Sequence, residues 1–270
     1  MQFHHKPPFN HGFTMLSPRS GASADMLMDF GVLVLAAGDV WNDDAAADER
    51  IWLLAKGSAV IAWAGESKEI SRPDLFDHAP WCLSVPAACP VKITAGRDGV
   101  ELYYCATDNP KRFAPRLYTP EECASEARGA GTMREASTRI VRTVFDDANR
   151  PESNLVIGEV IGAPGKWSSY PPHHHPQPEI YHYRFLPRQG FGLTAIGDTP
   201  YIIRDKDTIQ IRDGEDHPQV TAPGYAMWYL WVIRHIDGNH YGVQTFTEEH
   251  QWVTGPEDRI WQPRACIFRA

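Results

Sequence analysis

Short apolar runs, punctuated by glycine, proline and aspartate, recur along this chain and leave few folds open to it. Gly31-Val32-Leu33-Val34-Leu35, Ile51-Trp52-Leu53-Leu54, Ala59-Val60-Ile61-Ala62-Trp63, Cys82-Leu83-Ser84-Val85 and Val100-Glu101-Leu102-Tyr103-Tyr104 follow one another at short intervals. Such runs between turn residues read as strands. The pattern resumes at Arg139-Ile140-Val141-Arg142-Thr143-Val144-Phe145 and continues through 155–161, 201–204, 208–211 and 227–233. Many aromatic residues, with 22 prolines and 21 glycines, favour strands and turns over helices. The expectation is an all-β chain arranged as a sandwich or barrel.

Between the two strand-rich stretches, Thr119-Pro120-Glu121-Glu122 offers an N-cap, a proline at the first helical position and a capping-box glutamate. These signals predict a short helix through about Arg128, closed by Gly129 and Gly131. The expected division is therefore a β domain over 1–106, a connecting segment with a short helix over 107–138, and a second β domain over 139–270. At 270 residues, two domains of ordinary size or one large β domain fit the length.

Chemistry concentrates in the second stretch, at Tyr170-Pro171-Pro172-His173-His174-His175 and Glu179. On an extended segment His173 and His175 point to one side, and Glu179, an even step further on, shares that parity if the strand is unbroken. Two imidazoles and a carboxylate on one face hold a divalent metal and leave positions open for substrate. Histidine-rich stretches also occur on exposed loops, and the carboxylate is what tips the reading toward a metal. A fourth ligand candidate is His217, which enters a strand after the turn at Asp213-Gly214, about forty residues beyond His175. Such a gap suits a β-barrel, where distant strands meet across the interior. His174 should point away, and His182, His235, His240 and His250 have no partner at ligand spacing. The first stretch has no His-x-His motif, and near 43–50 it offers mainly acids and alanines. An internal duplication whose first copy lost its metal site accounts for this.

His173-x-His175, Glu179, Gly214 and His217 resemble the two signature motifs of the cupin superfamily, which ligate one metal with three histidines and one glutamate. Longer blocks resemble a narrower family: Gly165-Lys166-Trp167-Ser168-Ser169-Tyr170-Pro171-Pro172-His173, Glu179-Ile180-Tyr181-His182-Tyr183, Gln189-Gly190-Phe191-Gly192, and Ala222-Pro223-Gly224-Tyr225 through Tyr229-Leu230-Trp231-Val232. They are similar to the 5-deoxy-glucuronate isomerase family of inositol catabolism, related to 5-keto-4-deoxyuronate isomerase of pectin breakdown. The likeness covers roughly residues 139 to 253 and extends more weakly to the N-terminus. It implies two cupin-like antiparallel β-barrel (jelly-roll) domains, a bicupin, with one metal site. It also implies a metal-dependent aldose–ketose isomerase that interconverts 5-deoxy-glucuronate and 5-dehydro-2-deoxy-gluconate. This chain departs from the family between His175 and Glu179, where Pro176-Gln177-Pro178 replaces a longer acidic insertion. An isomerase of another deoxy-uronate is therefore an alternative.

The site expected on these grounds has His173, His175, Glu179 and His217 as metal ligands, with Glu179 and Tyr183 as catalytic groups. Tyr181 and Tyr183 share the parity of Glu179 and are expected to line the pocket or pack the barrel core. Tyr229 is a further candidate, whereas Arg184 has the opposite parity and is expected to face solvent. Zinc, manganese, iron and nickel all suit this donor set. The same ligands also suit a cupin dioxygenase holding ferrous iron, or a sugar-binding cupin without activity. A net charge of −8 argues mildly against nucleic acid or anionic membrane as partners. A small sugar acid is the expected partner, with a homo-oligomer open. Five cysteines without CxxC spacing, among them Cys266, suggest reduced thiols, and the N-terminus lacks the layout of a signal peptide. A cytoplasmic location is expected.

Overall fold

A computed structural model of the protein describes residues 1–44, 47–212 and 214–263. Among them every strand pairing is antiparallel. The strands form sheets of eight, seven, four and two members, and none of these closes on itself. Cys266 and Asp213 lie outside the described residues. Cys82, Cys89, Cys105 and Cys123 are buried free thiols. No described helix is long and apolar enough to cross a membrane.

The eight-stranded sheet is built on two long strands, Asp48–Trp63 and Val91–Asp108. Their pairing slips register between Leu54 and Lys56 and again between Gly57 and Ala59, and such bulges bend a sheet. At the corner Gly57 has φ +95, and a Cβ there would lie 2.2 Å from the carbonyl oxygen of Gly99. Only glycine fits so close a backbone approach. The bend brings Trp52 and Leu54, before the corner, into one apolar cluster with Ile61, Trp63 and Ile93 beyond it.

The seven-stranded sheet has the spatial order Gln2–Phe3, Thr208–Ile211, Glu179–Leu186, Ala226–Arg234, Leu155–Gly162, Arg139–Phe145 and Ala124–Arg128. The first residues of the chain thus join strands from its far end. Alternation sorts the side chains of Glu179–Leu186 onto two covered faces. Tyr181, Tyr183 and Phe185 pack with Ile196 and Ile203 of the four-stranded sheet. Ile180 packs with Phe30, Ile51 and Leu53 of the eight-stranded sheet. Buried in that second layer, Arg72 holds Glu159 through two bonds of 2.7 and 2.8 Å, and Arg142 reaches the same carboxylate at 3.4 Å. One carboxylate therefore ties arginines from both large sheets together.

Two expectations need correction here. The helix predicted after Thr119 does not form, and Ala124–Arg128 is an edge strand paired with Arg139–Phe145. The capping glutamate does reach back, because the Thr119 amide donates to Glu122 Oε2 at 2.8 Å. The turn stops there because residues 121–128 carry no apolar stripe for a helix to bury, whereas the sheet edge offers backbone partners. Arg184, expected in solvent, donates to Glu101 at 2.6 Å, the Tyr103 hydroxyl at 2.9 Å and Asp205 at 3.2 Å. Its parity does point away from the cavity side, but that face is covered by the other sheet.

Candidate metal centre and its cavity

Two loops and the start of one strand bring the histidines together. His173–His174 pairs with Thr245–Phe246, and the chain then leaves the ladder through Pro176-Gln177-Pro178. Glu179 re-enters the sheet opposite Ile211 and Ile233. His217 sits in the loop between Thr208–Ile211 and Gln219–Thr221. The Gly214 amide donates to the carbonyl of His175 at 3.3 Å and fastens one loop to the other. His174 does turn outward, where Asp216 accepts from its ring at 2.8 Å and from Thr247 Oγ1 at 2.5 Å. The approach of His175 to Glu179 therefore comes from the excursion at the prolines, not from strand alternation.

His175, Glu179 and His217 are all buried, and one donor atom from each lies within 4.8 Å of the others. The ring of His173 stands edge-on to that of His217 at 4.7 Å and lines the same cavity, outside that three-residue group. In all three histidines Nδ1 faces a backbone carbonyl: Pro171 at 3.2 Å, Gln177 at 2.9 Å and Glu215 at 2.8 Å. A carbonyl only accepts, so each Nδ1 carries a proton, and a ring that is neutral then keeps its lone pair at Nε2. Burial pushes the pKa of His173 and of His217 down to about 4, which keeps both rings neutral. The Nε2 atoms of His175 and His217 stand 3.2 and 3.4 Å from Glu179 Oε2, and Nε2 of His217 has no hydrogen-bond partner. The neutral ring of His217 turns its lone pair toward that carboxylate oxygen, and the two repel unless positive charge lies between them. The donor set, its burial and its tautomers fit a divalent cation.

A second group, Asp147, His235 and His240, also has the composition of a metal site, which spacing along the sequence gave no reason to expect. Its tautomer argues otherwise. Nδ1 of His235 accepts the Tyr241 amide at 2.8 Å, so the proton of that ring sits on Nε2 and leaves no lone pair for a cation. The group acts instead as a clasp. His240 bonds Asp147 at 2.6 Å and stacks on His235 with ring centroids 4.3 Å apart. Tyr241, which follows, lies edge-on to His175 at 4.9 Å.

The cavity at the histidines has a volume of about 400 Å³ and is walled by one face of the seven-stranded sheet. Tyr181 and Tyr229 line it, with hydroxyls bonded to Ser169 at 3.1 Å and Ser168 at 2.6 Å. Burial pushes both phenols above their usual range, so they remain donors. Tyr183 does not line the cavity. It lies behind Tyr229, with rings 5.7 Å apart, one row too deep in the sheet. Sequence reasoning missed Arg139, Trp231 and Tyr241 as lining residues.

The sequence matches the model of the KduI/IolB family over residues 3–253. It is 30% identical over 222 residues to the 5-deoxy-glucuronate isomerase of Geobacillus kaustophilus (strain HTA426), covering 76% of this chain and 78% of that protein. With the 5-deoxy-glucuronate isomerase of Bacillus subtilis (strain 168) it shares 23% over 243 residues, covering 83% and 88%. An IolB-like protein of Salmonella typhimurium LT2 superposes with a TM-score of 0.83 at 25% identity, covering 92% of this chain and 97% of that one. The oxalate decarboxylase of Lactobacillus farciminis superposes at 0.67 with 12% identity, over 94% and 90%, a likeness of cupin-like fold alone.

Proposed function

Because this chain belongs to the KduI/IolB family, we propose that it is a metal-dependent aldose–ketose isomerase that interconverts 5-deoxy-glucuronate and 5-dehydro-2-deoxy-gluconate. The observation that carries the reading is the convergence of His175 and His217 on Glu179, with the His173 ring beside them, at a cavity wide enough for a six-carbon sugar acid. His173, His175, Glu179 and His217 would hold the cation. When bound, it supplies Lewis acidity that eases removal of a C–H proton beside a carbonyl by several kcal/mol. Glu179 takes the proton from the hydroxyl-bearing carbon next to the aldehyde and returns it to the aldehyde carbon. The hydroxyl proton passes to the former carbonyl oxygen, so the step balances without oxidant. Tyr181 and Tyr229, kept protonated, orient the sugar hydroxyls, and Tyr183 packs behind them.

The same reading takes the chain as a bicupin, with a metal-free unit over 1–106, a connector over 107–138 and a metal-binding unit over 139–270. Residues Gln2–Phe3 cross to the second unit's sheet. It also places the enzyme in the cytoplasm, in inositol catabolism, where its four buried described thiols stay reduced. The test is an NMR assay on 5-deoxy-glucuronate under anaerobic conditions. Product should form, vanish after chelation and return with added divalent metal. Absence of turnover by fully metallated protein would reject the substrate, and turnover that requires oxygen would reject the reaction class.

A further inference from the structure

Arg139 opens the strand Arg139–Phe145 and lines the cavity beside Tyr229, yet it is almost wholly buried. Its Nη1 donates to the carbonyl and the hydroxyl oxygen of Ser137, at 2.8 and 3.0 Å. No carboxylate among the described residues forms an ion pair with it. Arg72 and Arg142 are paired with Glu159, and Arg234 with Asp108. Arg150, also buried without an ion pair, lies off the cavity, where it donates to the Ala114 carbonyl at 2.7 Å and stacks on Phe113. Arg128, the other cation on the cavity wall, is more exposed and already bonded to Glu126.

A buried guanidinium without a counter-ion is destabilising, and burial presses the pKa of Arg139 downward accordingly. Such a group is retained where an anion from outside completes it. The same cavity is lined by His173, His175 and Glu179 and by Arg139, Tyr229 and Ser169. A sugar acid carries its carbonyl and its carboxylate at opposite ends of one chain. Resting on the isomerase reading above, we propose that Arg139 is the carboxylate anchor of this enzyme, with the substrate's carboxylate supplying its missing counter-ion. It selects uronates over neutral sugars and fixes which end of the chain meets the histidines.

The test compares 5-deoxy-glucuronate with 5-deoxy-glucose, which has a primary alcohol in place of the carboxylate. Binding is read by calorimetry and turnover by NMR, on protein whose metal content and melting temperature are measured alongside. Arg139→Gln should weaken uronate binding and raise its KM roughly 100-fold, while binding of the neutral sugar changes less than about twofold. Arg139→Lys, which keeps the charge but not the fork, should lose about tenfold on the uronate alone. Equal losses on both sugars, loss of metal, or an unchanged KM in Arg139→Gln would overturn the assignment and leave the isomerase standing. If wild-type protein binds the uronate in an Arg139-dependent way yet turns over nothing, the anchor stands and the reaction falls. Should Arg139→Gln fail to fold, Arg139→Lys alone decides, since a purely structural arginine would show no difference between the two sugars.

Discussion

The eight-stranded and seven-stranded sheets press together through apolar faces of the same kind, yet their opposite faces carry different chemistry. Away from the interface, the first sheet presents Leu33, Trp52, Leu54, Leu83 and Leu102, and its own bent strands close over them. At comparable depth the second presents Arg139, Glu179, Tyr181, Tyr229 and Trp231 around a cavity. Two devices separate them. In the first sheet the corner at Gly57 and Gly99 folds the long strands back, so large apolar side chains fill the interior. In the second a separate four-stranded sheet covers only part of the face, and tyrosines and histidines edge the space that is left. The same antiparallel scaffold thus gives a solid core or a site according to what its outward rows carry.

Deleting the chemistry should leave the scaffold. A His175→Ala, His217→Ala double variant is expected to lose bound metal and at least about 10³-fold in turnover, since Lewis-acid assistance is worth several kcal/mol. Its melting temperature without metal should match that of the wild-type apo-protein within a few degrees, because the substitutions also relieve repulsion at Glu179. Elemental analysis and calorimetry check both halves of the statement. Unchanged metal content would show that the ligands lie elsewhere and would erase the contrast between the sheets.

A pair of tryptophans sharpens the comparison at smaller amplitude. Trp52 is fully buried in the first sheet, with its indole N–H donating to Asp43 at 3.2 Å. Trp231 lines the cavity in the second and lies against Gly158, where a Cβ would meet its ring at 2.3 Å. Trp52→Ala should cost about 3–5 kcal/mol of stability with kcat/KM nearly unchanged. Trp231→Ala should cost less stability, because its ring is already half in the cavity, and should raise KM instead. Denaturant unfolding together with steady-state kinetics separates the two. Equal stability losses would mean that the cavity wall is packed as tightly as the filled core.

Much of the strand pattern was legible because period-two alternation and turn residues act locally. Val32, Leu33, Ile51 and Trp52 announce their strands without help from distant residues. The helix expected from Thr119 to Arg128 failed because its capping signals are local too, while the pull of the open sheet edge at Arg139–Phe145 is not. At the site, His175, Glu179 and His217 were legible from residue type and order. Their convergence runs through the Pro176-Gln177-Pro178 excursion and the Gly214 contact, neither of which follows from parity. Tyr183 shared the right parity but lies one row too deep, and depth along a strand is set by the covering sheet. Arg139 was not singled out because a missing counter-ion is a property of three-dimensional surroundings. His235 and His240 have no partner at ligand spacing in the sequence because Asp147 comes from a distant loop.

The smallest expected effect concerns that clasp, which has no counterpart described in the first sheet. Nδ1 of His235 accepts the Tyr241 amide, and burial holds its pKa down to about 4. The groups facing it are His240, Asp147, Arg234 and Lys111, of which only Asp147 favours the charged ring. A pKa depressed from about 6.5 in the unfolded chain means the ring stabilises the fold while neutral. That contribution is complete above about pH 6.5 and drains away as pH falls toward 4. Protonation places a hydrogen on Nδ1, and the Tyr241 amide then loses its acceptor and the segment against His175 loosens. Hydrogen exchange, corrected for its intrinsic pH dependence, should show protection at Tyr241 falling between pH 6.5 and 4. Amides of Asp48–Trp63 should hold theirs across the same range. A His235→Gln variant should flatten the Tyr241 profile, since glutamine offers an acceptor that does not titrate there. Protection that fell equally in both sheets would trace the change to global acid destabilisation and remove the clasp from the account.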